Sequence, residues 1–325
     1  MRDFWKTVFG YVLTFFLIIT LNFALPRMMP GNPFVHLSGE DEEVFETASS
    51  EQVAYYNAYY GLDQPILTQY GDYLKGLLKG DLGFSYYYKT AVLDIVLRRI
   101  LWTFLLAFSA LILSFILGII LGSYSAWHRD SWQDRALYML MTITSEIPPF
   151  LVGIVLLIVF AANLKLFPLS GSMKHFTTYT SMGEKVINIL HHAILPVITL
   201  TFVRVGGVYL LVRNSLIGVL KQDYIRTAKA KGLREKRIQY VHALKNALLP
   251  LFTRLAMQLG TMMGGTILVE NVFAYPGVGL LMRSAVNVRD YPLIQGVFLV
   301  LALTVMTANF AADHFYRKLD PRVRE

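Results

Sequence analysis

Six long apolar runs, near residues 8–25, 101–126, 136–162, 194–212, 247–269 and 293–312, alternate with polar stretches along this chain of 325 residues. Each is close to or above the roughly 18 to 20 residues a helix needs to cross a hydrocarbon core. None shows the two-residue alternation of a barrel strand: VLTFFLIITLNFAL (12–25) and LILSFILGIILG (111–122) are apolar at successive positions. In lipid every backbone N–H needs a partner, and a helix supplies one within its own segment. The pattern therefore predicts an all-α polytopic membrane protein with six transmembrane helices.

Composition supports that class. Hydrophobic residues make up 55% of the chain and charged ones 16%, against about 25% charged in a soluble domain. The chain has no cysteine, which excludes disulfides and thiolate metal sites. The net charge of +8 acquires meaning from its location. Between residues 213 and 246 stand Arg213, Lys221, Arg226, Lys229, Lys231, Arg234, Lys236, Arg237 and Lys245, against Asp223 and Glu235. The positive-inside rule makes this loop cytoplasmic, and counting outward from it puts both termini inside. The apolar run after Arg2 and Lys6 exceeds a signal core of about 7 to 15 residues, and Leu25-Pro26-Arg27 is no small-residue cleavage site, so a retained first helix is expected.

The resulting division is a first segment and helix over 1–25, an extracytoplasmic cap over 26–100, a five-helix core over 101–316 containing the loop 213–248, and a tail over 317–325. The cap carries an acidic cluster at Glu40, Asp41, Glu42, Glu43, Glu46 and Glu51. At about 75 residues it is too long for a plain connector. TAVLDIVLRRI (90–100) has the spacing of a helix lying along the membrane surface before the second span. In the third span, Pro148 and Pro149 after Glu146 predict a break or kink, and irregular backbone at that depth is tolerated in protein or at a water-filled cavity. No internal repeat is visible, which argues against a secondary transporter of two inverted halves.

The basic loop repays closer reading. Gly232 suits the residue just past a helix C-terminus, dividing a short helix ending near Lys231 from a second starting near Glu235. Tyr224, Ile225 and Ala228, then Ile238, Val241, Leu244 and Leu248, recur at helical spacing with Arg226, Lys229 and Lys236 between them. One face is apolar and the other cationic. Such an element fits a juxtamembrane helix on anionic lipid, or a docking helix that fills a groove on a soluble partner; a nucleic-acid arm is disfavoured.

QDYIRTAKAKGL (222–233) and HALKNALLP (242–250) resemble the cytoplasmic EAA loop of binding-protein-dependent ABC importer permeases, in the form found in the dipeptide, oligopeptide and nickel permease family, B-type subunit. The resemblance extends in order through MPGNPF (29–34), GLDQPILTQY (61–70), GDLGFS (80–85), VENVFAYPGVG (269–279), RDYPLIQG (289–296) and LDPRVR (319–324). The chain departs from the family pattern at Asn32, where aspartate is usual, at Glu146, where a small or hydroxyl residue is usual, and at Arg204. Arg226 and the long Gly232-to-Pro250 spacing depart from the general EAA pattern in the manner of the peptide branch.

The resemblance implies a permease subunit paired with a homologous second permease, two ATPase subunits and an extracytoplasmic substrate-binding protein, in a bacterial or archaeal cytoplasmic membrane. Asp223, Tyr224, Arg226, Thr227, Ala228, Lys231, Gly232 and Leu233 would form the ATPase-coupling helix. ATP and magnesium would bind the partners, because this chain has no Gly-Lys phosphate loop, and it would hold no cofactor or metal itself. The chain is then a transport subunit and not an enzyme. Glu146, Pro148, Pro149 and Arg204 are candidate pathway residues, since charges inside spans cost about 2.5 to 3.5 kcal/mol; Glu146 and Arg204 either pair with each other or meet a peptide's ends in the cavity. Glu270, Tyr275 and Pro276 are outer-gate candidates. Adjacent His191 and His192 read as an interfacial polar pair, since neighbouring helix positions point about 100° apart. Tyrosines 55, 56, 59, 60, 86, 87 and 88 read as packing and interfacial residues of the cap rather than as a substrate cage. The solute is expected to be a di- or oligopeptide, with a metal chelate or glycoside as the alternative within the family. An ATPase-independent channel or secondary transporter is the alternative of a different class, and a receptor with a ligand-binding cap is a third.

Overall fold

The computed structural model describes residues 2–29, 34, 50–174, 177–248, 251, 258 and 264–319. In chain order the helices are α1 (Arg2–Arg27), α2 (Ser50–Tyr59), α3 (Ile66–Leu78), α4 (Val92–Trp127), α5 (Trp132–Glu146), α6 (Pro149–Leu156) and α7 (Met182–Leu220). They continue with α8 (Asp223–Ala230), α9 (Glu235–Arg237), α10 (Lys245–Ala247), α11 (Ile267–Val272), α12 (Val278–Asn287) and α13 (Tyr291–Leu319). Wider π-helical turns extend α6 over Leu157–Asn163 and join α9 to α10 over Ile238–Leu244.

Among the described residues no strand occurs, and four helical stretches are long and apolar enough to cross a membrane: Phe9–Arg27, Val92–Trp127, Met182–Leu220 and Tyr291–Phe310. A fifth crossing is possible if α5 and the extended α6 act as one span, bent by 100°. Pro148 and Pro149 stand at that bend, where the missing N–H groups and fixed φ end α5 and start α6. Most of the expected fifth run (247–269), the acidic cluster at 40–46, Asn32, Pro250 and the match at 320–324 lie outside the described residues. One expectation is corrected. TAVLDIVLRRI forms no separate surface helix, because Val92 begins α4 and the helix runs on unbroken for 36 residues. At 1.5 Å per residue that is about 54 Å, well beyond a hydrocarbon core of about 30 Å.

The chain divides into two compact units, Met1–Leu101 with Gly277–Met306, and Trp102–Pro276 with Thr307–Glu325. In the first, Val92 and Val96 of α4 pack on Val278, Leu281 and Ala285 of α12 and on Leu293 and Val297 of α13. Gly296 permits this approach, since a Cβ there would fall 2.2 Å from a Val92 methyl. An aromatic cluster of Phe34, Tyr60 and Tyr86, with ring centroids 4.4 to 5.3 Å apart, forms a second core. The tyrosines at 60 and 86 thus pack, while Tyr55, Tyr56, Tyr59 and Tyr87 are exposed.

Asp290 ties this unit together and gives the RDYPLIQG match a physical reason. Fully buried, it caps α13 by accepting from the Leu293 amide (3.2 Å), and its other oxygen accepts from Ser85 Oγ (2.5 Å) and the Tyr87 amide (3.1 Å). Burial pushes its carboxyl above the usual range, against the lowering effect of those hydrogen bonds. The folded state therefore holds this proton to higher pH than the unfolded chain, so the stability it contributes falls as pH rises through that window. Asp290→Ala should cost about 2 kcal/mol, because a cap is lost and buried donors are left unmet. Asp290→Asn should cost less and abolish the pH dependence; thermal unfolding in detergent at several pH values measures both.

In the second unit, Leu106 and Ala110 of α4, Ala193, Leu195, Val197 and Leu200 of α7, and Val269, Phe273 and Tyr275 share one core. Its helices approach through glycine. A Cβ on Gly118 or Gly122 of α4 would lie 2.5 Å from Val208 or 2.8 Å from the Tyr209 carbonyl of α7. Small residues at such crossings let backbones meet where lipid supplies no hydrophobic drive between helices.

Candidate functional site

The basic loop forms a compact platform in the second unit. Gln222 is extended, α8 runs over Asp223–Ala230, and Gly232 takes φ +70°. The Leu233 amide donates to the Ala228 carbonyl and the Gly232 amide to the Lys229 carbonyl, the paired bonds of a glycine-terminated helix. Glycine adopts that left-handed φ without the cost a Cβ imposes.

The two faces of α8 differ. Ile225 and Ala228 are buried with Leu216 of α7, Ala126 of α4, and Ile238, Ala243 and Ala247 of the following stretch, with Leu233 packed against them. Asp223, Tyr224, Arg226, Thr227, Lys231 and Gly232 are exposed. Of the eight residues singled out in the sequence, Ala228 and Leu233 thus anchor the helix while the rest form its outward surface. Arg226 Nη1 lies 3.3 Å from Asp223 Oδ1, but with both side chains over three-quarters exposed the pair contributes about 0 to 1 kcal/mol and leaves both groups accessible.

Just above the platform lies a polar cluster that the sequence did not announce. Arg213 of α7 donates to both oxygens of Asp134, from Nε at 2.8 Å and from Nη2 at 2.7 Å. Asp134 also accepts from Ser125 Oγ and from the Asp130 amide at 3.1 Å, and Ser125 Oγ meets Tyr209 OH at 2.6 Å. The carboxylate side chain is 2% exposed and the guanidinium side chain 16%. Ser131 caps α5 by accepting from the Asp134 amide, which holds the carboxylate's position. The end of α4, the start of α5 and the end of α7 are joined here.

The pathway candidates are arranged differently from one another. Glu146 and Pro148 are exposed and Pro149 is half-buried at the bend. Arg204 is half-buried on α7, its Nη2 lying 3.2 Å from where a Cβ of Gly265 would be. Among the described residues the ion pairs join Lys75–Asp72, Arg129–Asp130, Arg213–Asp134 and Arg226–Asp223, so Glu146 and Arg204 do not pair with each other.

At the outer-gate candidates, Glu270 and Tyr275 are fully buried and Pro276 is half-buried. The Tyr275 amide donates to the Glu270 carbonyl at 2.8 Å across a turn in which Ala274 takes φ +43°. Burial, then the nearby Glu270 carboxylate, pushes the Tyr275 phenol up, so it stays protonated. His191 meets the Leu166 carbonyl and His192 the Asn188 carbonyl, with the two rings perpendicular and 6.3 Å apart.

A protein-family model described as the binding-protein-dependent transport system inner membrane component matches residues 118–325. The dipeptide transport system permease protein of Bacillus subtilis (strain 168) is 34% identical over 320 residues, covering 98% of this chain and 96% of its own. The corresponding protein of Escherichia coli (strain K12) is 33% identical over 332 residues, covering 97% and 96%. The di/tripeptide transport system permease protein of Pseudomonas aeruginosa (strain UCBPP-PA14) is 32% identical over 327 residues, covering 96% and 95%. A solved structure titled as an inward-facing conformation of the MetNI methionine ABC transporter superposes with a TM-score of 0.54 at 16% identity, covering 70% of this chain and 96% of that one.

Proposed function

Since the chain belongs to the family of binding-protein-dependent transport system inner membrane components, we propose that it is the permease subunit of an ATP-driven importer of di- or oligopeptides. It is a multi-pass protein of the bacterial cytoplasmic membrane. The peptide assignment draws on what its relatives are named for. Its partners in this reading are a homologous second permease, two ATPase subunits that bind ATP and magnesium, and an extracytoplasmic binding protein. The chain forms no covalent bond with its cargo and contributes no catalytic residue.

One observation carries the mechanism: α8 presents a charged outward face and is anchored by Ile225 and Ala228 to α4 and α7. A partner that grips the outer face through Tyr224, Arg226, Thr227 and Lys231 would move both long helices with it. Closure of the ATPase pair on ATP would open the spans outward, and hydrolysis would reverse the motion. Direction comes from the different ligand affinities of the two states. In this scheme the bend at Pro148 and Pro149, with exposed Glu146 and half-buried Arg204, borders the pathway. Glu270 and Tyr275 act on its outer end through packing, a reading their burial supports.

The test is the double substitution Arg226→Glu with Lys231→Glu, assayed for ATPase co-purification and for uptake of dialanine into proteoliposomes. Both side chains are exposed, so folding is spared, while like charges at an interface cost several kcal/mol. Uptake should fall more than about tenfold with the purified chain as stable as before. Unchanged ATPase attachment together with unchanged uptake would refute the coupling role. Full coupling with no uptake of any short peptide would refute the substrate class alone.

A further inference from the structure

The stretch following Gly232 leans against the end of α4 and encloses with it a cleft of about 540 Å³. That size lies within the range of about 300 to 1,000 Å³ typical of ligand pockets. Its floor is apolar, from Ile119 and Ile120 of α4 and Leu244 opposite. Ile120 is 58% exposed, in a helix apolar enough to span the membrane. Ser123 also lines the cleft, its buried hydroxyl without a hydrogen-bond partner among the described residues.

The rim changes character. Tyr124, Trp127 and Tyr240 line it, and aromatic rings of this kind collect at the level of lipid headgroups. Beside them stand Lys236, His128 and one carboxylate, Glu235. Along α4 the lining runs from Ile119 and Ile120 to Tyr124 and Trp127, and along the loop from Leu244 through Tyr240 to Lys236, an order that matches an acyl chain, an interfacial region and a phosphate. Glu235 balances the formal charge of Lys236, which suits a singly charged phosphodiester better than a multiply charged headgroup.

We propose that this cleft is a binding site for a glycerophospholipid, its acyl chain on Ile119, Ile120 and Leu244 and its phosphodiester at Lys236. Because one wall is α4 and the other belongs to the basic loop, the bound lipid bridges a membrane span and the platform that carries α8. The site is independent of which solute the transporter carries.

Native mass spectrometry of the chain purified with its partner subunits, delipidated and then offered phosphatidylglycerol, tests this. The wild-type protein should retain the lipid. Lys236→Ala should weaken retention about fivefold, the effect of one cation near a lipid phosphate. Ile120→Trp, which fills the floor, should weaken it as well, while Leu151→Trp at another exposed apolar position should not. Loss of the lipid from the folded wild-type complex, or equal retention by all variants, would overturn the proposal. If a variant fails to assemble, quenching by bromine-labelled acyl chains reads the site independently: a saturable component that Trp127→Phe removes supports it, and purely linear quenching overturns it.

Discussion

Asp134→Ala is expected to destabilise the protein by about 3 to 5 kcal/mol, the range for removing one partner of a buried ion pair. The carboxylate is almost wholly buried and accepts from Arg213, Ser125 and the Asp130 amide, so its loss strands several donors at once. Arg213→Ala should cost a similar amount, because a buried carboxylate is then left without its cation. The two losses should not add. Once either partner is gone, most of the penalty has been incurred, and a double substitution should cost much less than the sum. Asp134→Asn, which keeps the shape and part of the hydrogen bonding, should fall between. Thermal unfolding of the purified protein in detergent measures all four. A loss under about 1 kcal/mol for Asp134→Ala, the value of an exposed pair such as Arg226–Asp223, would mean that the cluster is not buried in the assembled protein.

If α8 couples to the ATPase as proposed, this cluster also bears on transport. Arg213 and Leu216 occupy neighbouring turns of α7: the first holds the start of α5 through Asp134, and the second anchors α8 through Ile225 and Ala228. A displacement of α8 would therefore reach α5, and with it the bend before α6, along a short rigid route. Asp134→Asn should accordingly reduce dialanine uptake per assembled complex by a larger factor than it reduces the yield of folded protein.

The elements the sequence disclosed are those whose cause is local. Hydropathy over a window of about 20 residues marks a span wherever it occurs, and Gly232 and the Pro148-Pro149 pair mark chain breaks by their own φ restrictions. What it concealed depends on partners far along the chain. Asp134 and Arg213 are 79 residues apart, and the positive-inside rule counts Arg213 as a loop charge without asking what it touches. Val92 to Ile100 has the same periodicity whether it lies on the membrane or forms the opening turns of a long span. Depth along a helix placed Glu146 and Arg204 at similar levels; it gave no azimuth, and the 100° turn after Glu146 lies between two elements that a straight span would have joined. In the loop motif, Ala228 and Leu233 match as well as Arg226 and Lys231 do, yet they point inward, because a motif records which residues are needed and not which way they face.

The tightest helix contact of the second unit supplies the other large effect, at Gly206. A Cβ there would lie 2.1 Å from Ser145 Oγ and 2.3 Å from the Met141 carbonyl oxygen. The serine hydroxyl can rotate away, although it would give up its bond to the same carbonyl. The carbonyl belongs to the backbone of α5 and cannot move unless the helix does. Gly206→Ala should therefore cost about 3 kcal/mol, the upper end of the range for overpacking, even though alanine favours a helix over glycine by about 1 kcal/mol. Gly218 on the same helix separates the two effects, since nothing lies within 4 Å of a Cβ placed there. Gly218→Ala should be neutral or stabilising by up to about 1 kcal/mol. Opposite signs in the shift of the unfolding midpoint are thus expected from the same chemical change at two positions of α7. Equal shifts would show that α5 and α7 are farther apart than their backbones indicate. A larger residue at Gly206 should also lengthen the Arg213–Asp134 contact, because α5 would move off α7 along the same face; combined with Asp134→Ala it should then cost less than the two separately.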